Sequence, residues 1–305
     1  MNRMVIYLLA LGVFLTGTVE MVVAGILNVI ANDLMISVTL AGQLITGYSL
    51  AFAIGTPILI ACTARIERKK LLIWSLFIFV IGCFISYTSL NYLILMISRV
   101  ILGMSAGVFS VIALSSAAKL VPPEKVGSAL GIIALGFGSA IAFGVPIGIA
   151  ITNLLNWHVI FLVLSIISMF VMLGLLRLLP RIESDAPISL KQQLAIMKNP
   201  VIISALLISL FMCTSNSIML TYIAPYLQDI LHLSATELGY MMLLLGIASI
   251  IGSRIGEAGV DKMGTVNMIT FSLLVTGMAL LIIPLFETPV FLGLVFITIW
   301  MLSIF

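Results

Sequence analysis

The 305 residues are 62% hydrophobic and 8% charged, with a formal net charge of +3. A soluble domain carries about 25% charged residues, so this chain cannot cover a water-facing surface. Period-two alternation is absent, and the apolar runs reach the roughly 20 residues of a membrane-spanning helix, which excludes a closed β-barrel and leaves an all-α integral membrane protein.

Taken in chain order, the apolar runs predict helices over 4–30, 38–62, 71–88, 92–118, 126–150, 157–179, 200–224, 236–256, 266–284 and 290–305. The first run is too long for a signal-peptide core and lacks a small-residue cleavage site, so it is expected to be retained. Cys62, Cys83 and Cys213 stand singly, with no spacing that suggests a disulfide or a metal site. The longest polar connection follows the sixth helix. It predicts a six-helix N-terminal bundle at 1–179, a linker at 180–199 and a partial C-terminal bundle of helices seven to ten at 200–305.

Charge then orients the helices. With loops alternating from a cytoplasmic N-terminus, Arg3, Arg65, Arg68, Lys69, Lys70, Lys119, Lys125, Arg177, Arg181, Lys191, Lys198, Arg254 and Lys262 all fall inside. Of the 14 Lys and Arg residues only Arg99 is left over, and the outer connections hold Asp33, Asp229, Glu237 and Glu287. This asymmetry satisfies the positive-inside rule and checks the helix count, because one missed helix would scramble it.

A weak internal repeat crosses the chain. "NDLMIS" at 32–37, Gly42 and Arg65 match "QDILHLS" at 228–234, Gly239 and Lys262. The offsets are 229 − 33 = 196, 234 − 37 = 197, 239 − 42 = 197 and 262 − 65 = 197. Parallel six-helix repeats are one known transporter architecture. Two of them need roughly 390 residues, so a C-terminally truncated copy, with a tenth helix cut at Phe305, is expected.

Glu20 is the only acidic residue inside the first six helices. An intramembrane carboxylate costs about 2.5–3.5 kcal/mol on insertion scales and commonly marks a proton or ion pathway. The alternative is a Glu that stays neutral and hydrogen-bonds another helix. Arg99 is the only intramembrane base of the first six helices, roughly 12 Å in from the outer end of helix four, and Glu20 is roughly 16 Å in from the outer end of helix one. The two can share a depth; a structural Arg bonded to backbone carbonyls is the other reading. Gly103 and Gly107 continue the Arg99 face at the four-residue spacing that permits close helix contact. In helix five, Gly127, Gly131, Gly136, Gly138, Gly144 and Gly148 with Pro146 predict smooth faces and a kink. Asn28, Gln43, Asn216, Ser217 and Tyr222 are candidates for a cavity lining or for simple interhelical hydrogen bonds. Trp300 is either an aromatic wall or a lipid-facing residue.

These residues resemble the major facilitator superfamily, and within it the twelve-helix drug/proton antiporter branch. "SRVILGMSAGVF" at 98–109 is similar to the family's fourth-helix signature, and "GSAIAFGVPIG" at 138–148 keeps the Gly-x-Pro-x-Gly core of its fifth-helix antiporter motif as Gly144, Pro146 and Gly148. "TARIERKKLL" and "KLVPPEKVGSALGIIALGFGSAIAFGVPIGI" resemble purine base and nucleoside efflux permeases, with sugar and drug exporters as further relatives. The family's loop between helices two and three, usually Gly-x-Leu-Ala-Asp-Arg-x-Gly-Arg-Arg, is matched by Arg65, Arg68 and Lys69. Ile60, Ala64 and Glu67 stand where its Gly, Asp and Gly would be. The second-half counterpart keeps Asp261, Lys262 and Gly264.

The resemblance implies a secondary active transporter rather than an enzyme, exporting a small organic compound by alternating access. It would need no cofactor beyond a proton gradient, with protons, the substrate and the bilayer as its partners, no nucleic acid, and a monomeric state in a bacterial cytoplasmic membrane. Glu20 and Arg99 would couple the protons. A non-transporting fragment and an uptake symporter are the alternatives.

Overall fold

The computed structural model describes residues 3–182, 199–285 and 290–304. Most of the predicted linker, 183–198, lies outside the described residues. Among the described residues there are ten helical spans. The first is Arg3–Gly25 continued by Leu27–Asp33, and the second is Val38–Leu50 continued through Ala51–Gly55 into Thr56–Cys62. The third, fourth and sixth are Arg68–Tyr87, Tyr92–Lys119 and Trp157–Leu178, and the fifth runs from Val126–Ser139 through Ala140–Gly144 to Val145–Leu154. Pro200–Pro225 with Tyr226–Ile230 is the seventh, followed by Ala235–Met263, Thr265–Ile282 and Val290–Ile304. Eight helices are long and apolar enough to cross a membrane, while the ninth and tenth, apolar over Val266–Ile282 and Phe291–Ile304, are shorter.

The spans run antiparallel in sequence, which gives the bundle a basic end, at the Arg65–Lys70 turn, and an acidic end, at Asp33, Asp229 and Glu237. Four of the spans that begin at the acidic end carry a side-chain cap. Ser37 accepts from Leu40 N at 3.1 Å, Asn91 from Ile94 N at 3.0 Å and Asn156 from Val159 N at 3.1 Å. Ser234 and Glu237 form a reciprocal capping box: Ser234 N and Oγ donate to Glu237 Oε2 at 2.8 and 2.7 Å, and Glu237 N donates back to Ser234 Oγ at 3.3 Å. Each cap satisfies backbone donors that lipid cannot, and such caps stabilise by about 1 kcal/mol apiece.

The turns before two of these helices share their shape. Met35 (φ 52°) and His232 (φ 56°) are the non-glycine residues with positive φ among the described residues. They stand 232 − 35 = 197 residues apart, the offset of the sequence repeat, and each lies two residues ahead of its capping serine. For residues with a Cβ this conformation is uncommon, so its recurrence at one offset ties the two halves together more firmly than the four matched letters do.

The first span is the centre of the packing. Leu9, Leu15, Val19, Val22, Val23 and Leu27 are fully buried. The fifth span runs beside it in parallel: a Cβ at Gly136 would collide with the Ala10 carbonyl, one at Gly144 with Thr18 Oγ1, and one at Gly148 with Val22. Gly127, Gly131 and Gly138 have no atom within 4 Å of that position, so the smooth face expected along the whole fifth span covers only part of it. The fourth span fits the second equally closely, Gly103 against the Tyr48 carbonyl and Gly107 against Thr56. Small residues replace hydrophobic drive as the source of helix contact in lipid, because side chains there gain little by leaving one apolar medium for another. Large apolar side chains such as Trp74, Phe84, Phe170 and Phe211 point outward, as a lipid-solvated surface requires.

Three π turns interrupt the spans, at Ala51–Gly55, Ala140–Gly144 and Tyr226–Ile230. Each adjoins a proline: Pro57, Pro146 and Pro225. A proline cannot donate to the carbonyl one turn before it and its ring crowds that turn, and such places are where a helix commonly widens, as where Val145 N–H donates five residues back to the Ala140 carbonyl.

Candidate functional site

Arg99 is fully buried on the fourth span. Its Nη1 donates to the Val19 carbonyl of the first span at 2.8 Å, and its Nε to the Leu44 carbonyl of the second at 3.3 Å. The guanidinium carbon lies 4.4 Å from the centroid of the Tyr48 ring, a cation–π distance. Nη2 has no hydrogen-bond partner among the described residues. One cation thus ties three spans through backbone oxygens and an aromatic face. Carbonyl binding, one of the two readings of Arg99, is what its Nη1 and Nε do.

Glu20 follows Val19 directly and is partly exposed. It lies within the electrostatic reach of Arg99, yet among the described residues no ion pair joins the two. The carboxyl therefore follows the residue whose carbonyl holds the buried cation, without an ion pair to it. That arrangement can take up and release a proton, with Arg99 held ready to answer the change of charge. Tyr48, which sequence reasoning missed, is fully buried, and its hydroxyl donates weakly to the Thr16 carbonyl at 3.5 Å.

The remaining candidates separate. Asn28 lies at the acidic end, where its Nδ2 donates to Gln228 Oε1 at 3.1 Å and to both Asp229 oxygens at 3.2 and 3.4 Å. Tyr222 stands over the start of the second span, its hydroxyl 2.7 Å from where a Cβ on Gly42 would be. Gln43 and Ser217 are exposed, and Asn216 is half-buried with Oδ1 unpartnered among the described residues. Trp300 is fully buried, so it does not face lipid, and its Nε1 has no described partner. Gly144, Pro146 and Gly148 line the fifth span where it meets both the first span and the eighth, whose Gly246 lies against the backbone of Ala142.

The basic end works separately from this centre. Lys69 Nζ donates to the Leu179 carbonyl at 2.5 Å and Arg68 N–H to the Ile182 carbonyl at 3.3 Å, so the turn clasps the C-terminal end of the sixth span. A cation at that position complements the helix dipole. Arg65 is exposed. Lys262 lies in the last turn of the eighth span, and Gly264 just after it takes φ 80°, a backbone that suits glycine. The side chain of Asp261 lies outside the described residues.

With this geometry in view, the chain was compared with known proteins. The sequence model of the Major Facilitator Superfamily matches residues 9–305. The MFS-type transporter YbcL of Bacillus subtilis (strain 168), itself uncharacterised, is 38% identical over 284 residues, covering 93% of this chain and 72% of its own length. YtbD of the same strain, also an uncharacterised MFS-type transporter, is 33% identical over 249 residues, covering 81% of this chain and 63% of its own. The crystal structure of a D-xylose-proton symporter superposes with a TM-score of 0.81 at 18% identity, covering 99% of this chain and 80% of that one. The last is a likeness of fold.

Proposed function

We propose that this chain, which belongs to the Major Facilitator Superfamily, exports a small organic compound in exchange for protons, with Glu20 as the proton-carrying group. Membership makes it a multi-pass secondary transporter with a small-molecule substrate; the proton, the direction and the substrate class are the proposal. One observation carries it. A buried guanidinium is pinned by two backbone carbonyls, one of them on Val19 next to Glu20, and makes no ion pair with that carboxyl among the described residues. A fixed cation next to a free carboxyl lets proton binding alter the local field without rearranging the site.

Export is supported by the Gly144, Pro146 and Gly148 sequence, which resembles the antiporter motif. Purine bases and nucleosides are the first substrates to test, then pentoses and amphenicol drugs. The basic end faces the cytoplasm of a bacterial cell in this reading, as the positive-inside rule requires. The halves joined at the acidic end and parted at the basic end then form a cytoplasm-open carrier, and rocking of the two bundles about the Glu20 level gives alternating access.

In proteoliposomes carrying an imposed pH gradient, Glu20→Gln is expected to abolish proton-driven substrate exchange, with thermal melting unchanged. Full activity in that variant would end the assignment. Accumulation measured in vesicles of both orientations separates export from uptake.

A further inference from the structure

We infer that Tyr48 is a positioning residue for proton coupling, the aromatic floor on which Arg99 is held against the Val19 carbonyl, next in sequence to Glu20. The inference rests on the proposed role of Glu20 and concerns the group that makes its partner rigid. Two of the three guanidinium nitrogens are anchored, Nε on Leu44 O and Nη1 on Val19 O. Two in-plane bonds hold the group along one edge but leave it free to tilt about that edge. The Tyr48 ring, 4.4 Å from the guanidinium carbon, closes one face and removes that tilt.

The ring is itself immobilised. Tyr48 is fully buried, its hydroxyl rests on Thr16 O, its carbonyl is pressed against Gly103, and its ring centroid lies 6.4 Å from that of Phe52. Nη2 is then the one nitrogen of the cation with no described partner, so it is the one left to respond when Glu20 gains or loses its proton. The titratable groups in the field of Arg99 are Glu20 on the first span, Tyr48 on the second and Cys83 on the third. Of these only Tyr48 lies across the face of the guanidinium.

The test uses the purified full chain and the proton itself as probe. An infrared pH titration follows the protonated-carboxyl band, assigned to Glu20 by its loss in Glu20→Gln. Tyr48→Phe, which keeps the ring, is expected to titrate with the parent. Tyr48→Leu is expected to change the proton affinity of Glu20 by about three- to tenfold, a part of the roughly 30-fold that a desolvated cation–π contact is worth. Tyr48→Met serves the same purpose should the leucine variant not fold. Phe52→Leu packs on the same ring without touching Arg99 and is expected to leave the midpoint in place. Folded Leu and Met variants that titrate with the parent would overturn the role of Tyr48 while leaving Glu20 as carrier. Absence of any Glu20 band would overturn both readings.

Discussion

The two ends of the bundle are joined in opposite ways. At the acidic end the second set of spans is bound to the first, where Asn28 reaches Gln228 and Asp229 and Tyr222 stands over Gly42, and at mid-span Gly246 meets Ala142. At the basic end the bonds given among the described residues, Lys69 to Leu179 and Arg68 N–H to Ile182, lie within the first set. There Gly127 and Gly131 of the fifth span have no near neighbour, and the start of the seventh span, from Val201 to Phe211, is largely exposed. A two-part carrier must let one end part while the other holds. The difference teaches where the described contacts between the two sets are: polar side chains at the acidic end and close backbone approach at mid-span.

The strongest way to break that asymmetry is Gly246→Leu. Its side chain would enter the backbone of Ala142, which cannot step aside, so a loss of about 3 kcal/mol is expected, at the upper range of overpacking. Gly239→Leu on the same helix meets nothing within 4 Å and is expected to stay within about 0.5 kcal/mol of the parent. Thermal melting compares the two, and equal Tm values would deny the contact its part.

Asn28→Leu is milder. It removes the donor shared by Gln228 and Asp229, at a cost of about 1 kcal/mol, which shifts an open-closed balance roughly fivefold. Spin labels at Met35 and His232, both exposed turn residues, should report a larger population of long distances at the acidic end. An unchanged distribution would show that the hydrogen bonds are bystanders. Smallest is Lys69→Met, which takes a cation from the end of the sixth span at about 0.3–1 kcal/mol. Amide exchange near Leu179 should quicken while the Met35–His232 distances stay as they are.

Much of the fold was legible because lipid imposes a strict grammar on sequence. Apolar runs long enough to span, separated by basic connections on one side and acidic or uncharged ones on the other, located all ten spans. The ends were less certain. The third span begins at Arg68 rather than at 71, and the eighth runs on to Met263 rather than to 256, because long basic side chains reach water from inside a helix. The first span was read as one helix and breaks at Ile26 (φ −119°, ψ 21°).

The centre was half legible. Glu20 and Arg99 stand out as lone charges in greasy runs, and counting residues placed them at similar depths. Their partners did not stand out. Backbone carbonyls leave no mark in sequence, and Tyr48 is one aromatic residue among many. The asparagine at 28 was visible, but Gln228 and Asp229 were read as part of a loop and reach it only through the folding of the second half onto the first. Pro146 announced its kink, whereas Pro57 and Pro225 went unread although the same chemistry was available.

The π turn at Ala140–Gly144 has a consequence for how the fifth span can be edited. Eight residues of plain α-helix, the spacing of Gly136 and Gly144, end about 80° away from the starting face. One residue taken up in the wider turn brings that to within about 20°, so both glycines return to the first span. The extra residue thus sets the phase of everything beyond it. Phe143, half exposed in the turn, can be exchanged for another apolar residue at little cost to that phase. Its loss would turn Gly144 and Gly148 away from Thr18 and Val22 by about 100°. In this segment the number of residues is specified as firmly as their identity.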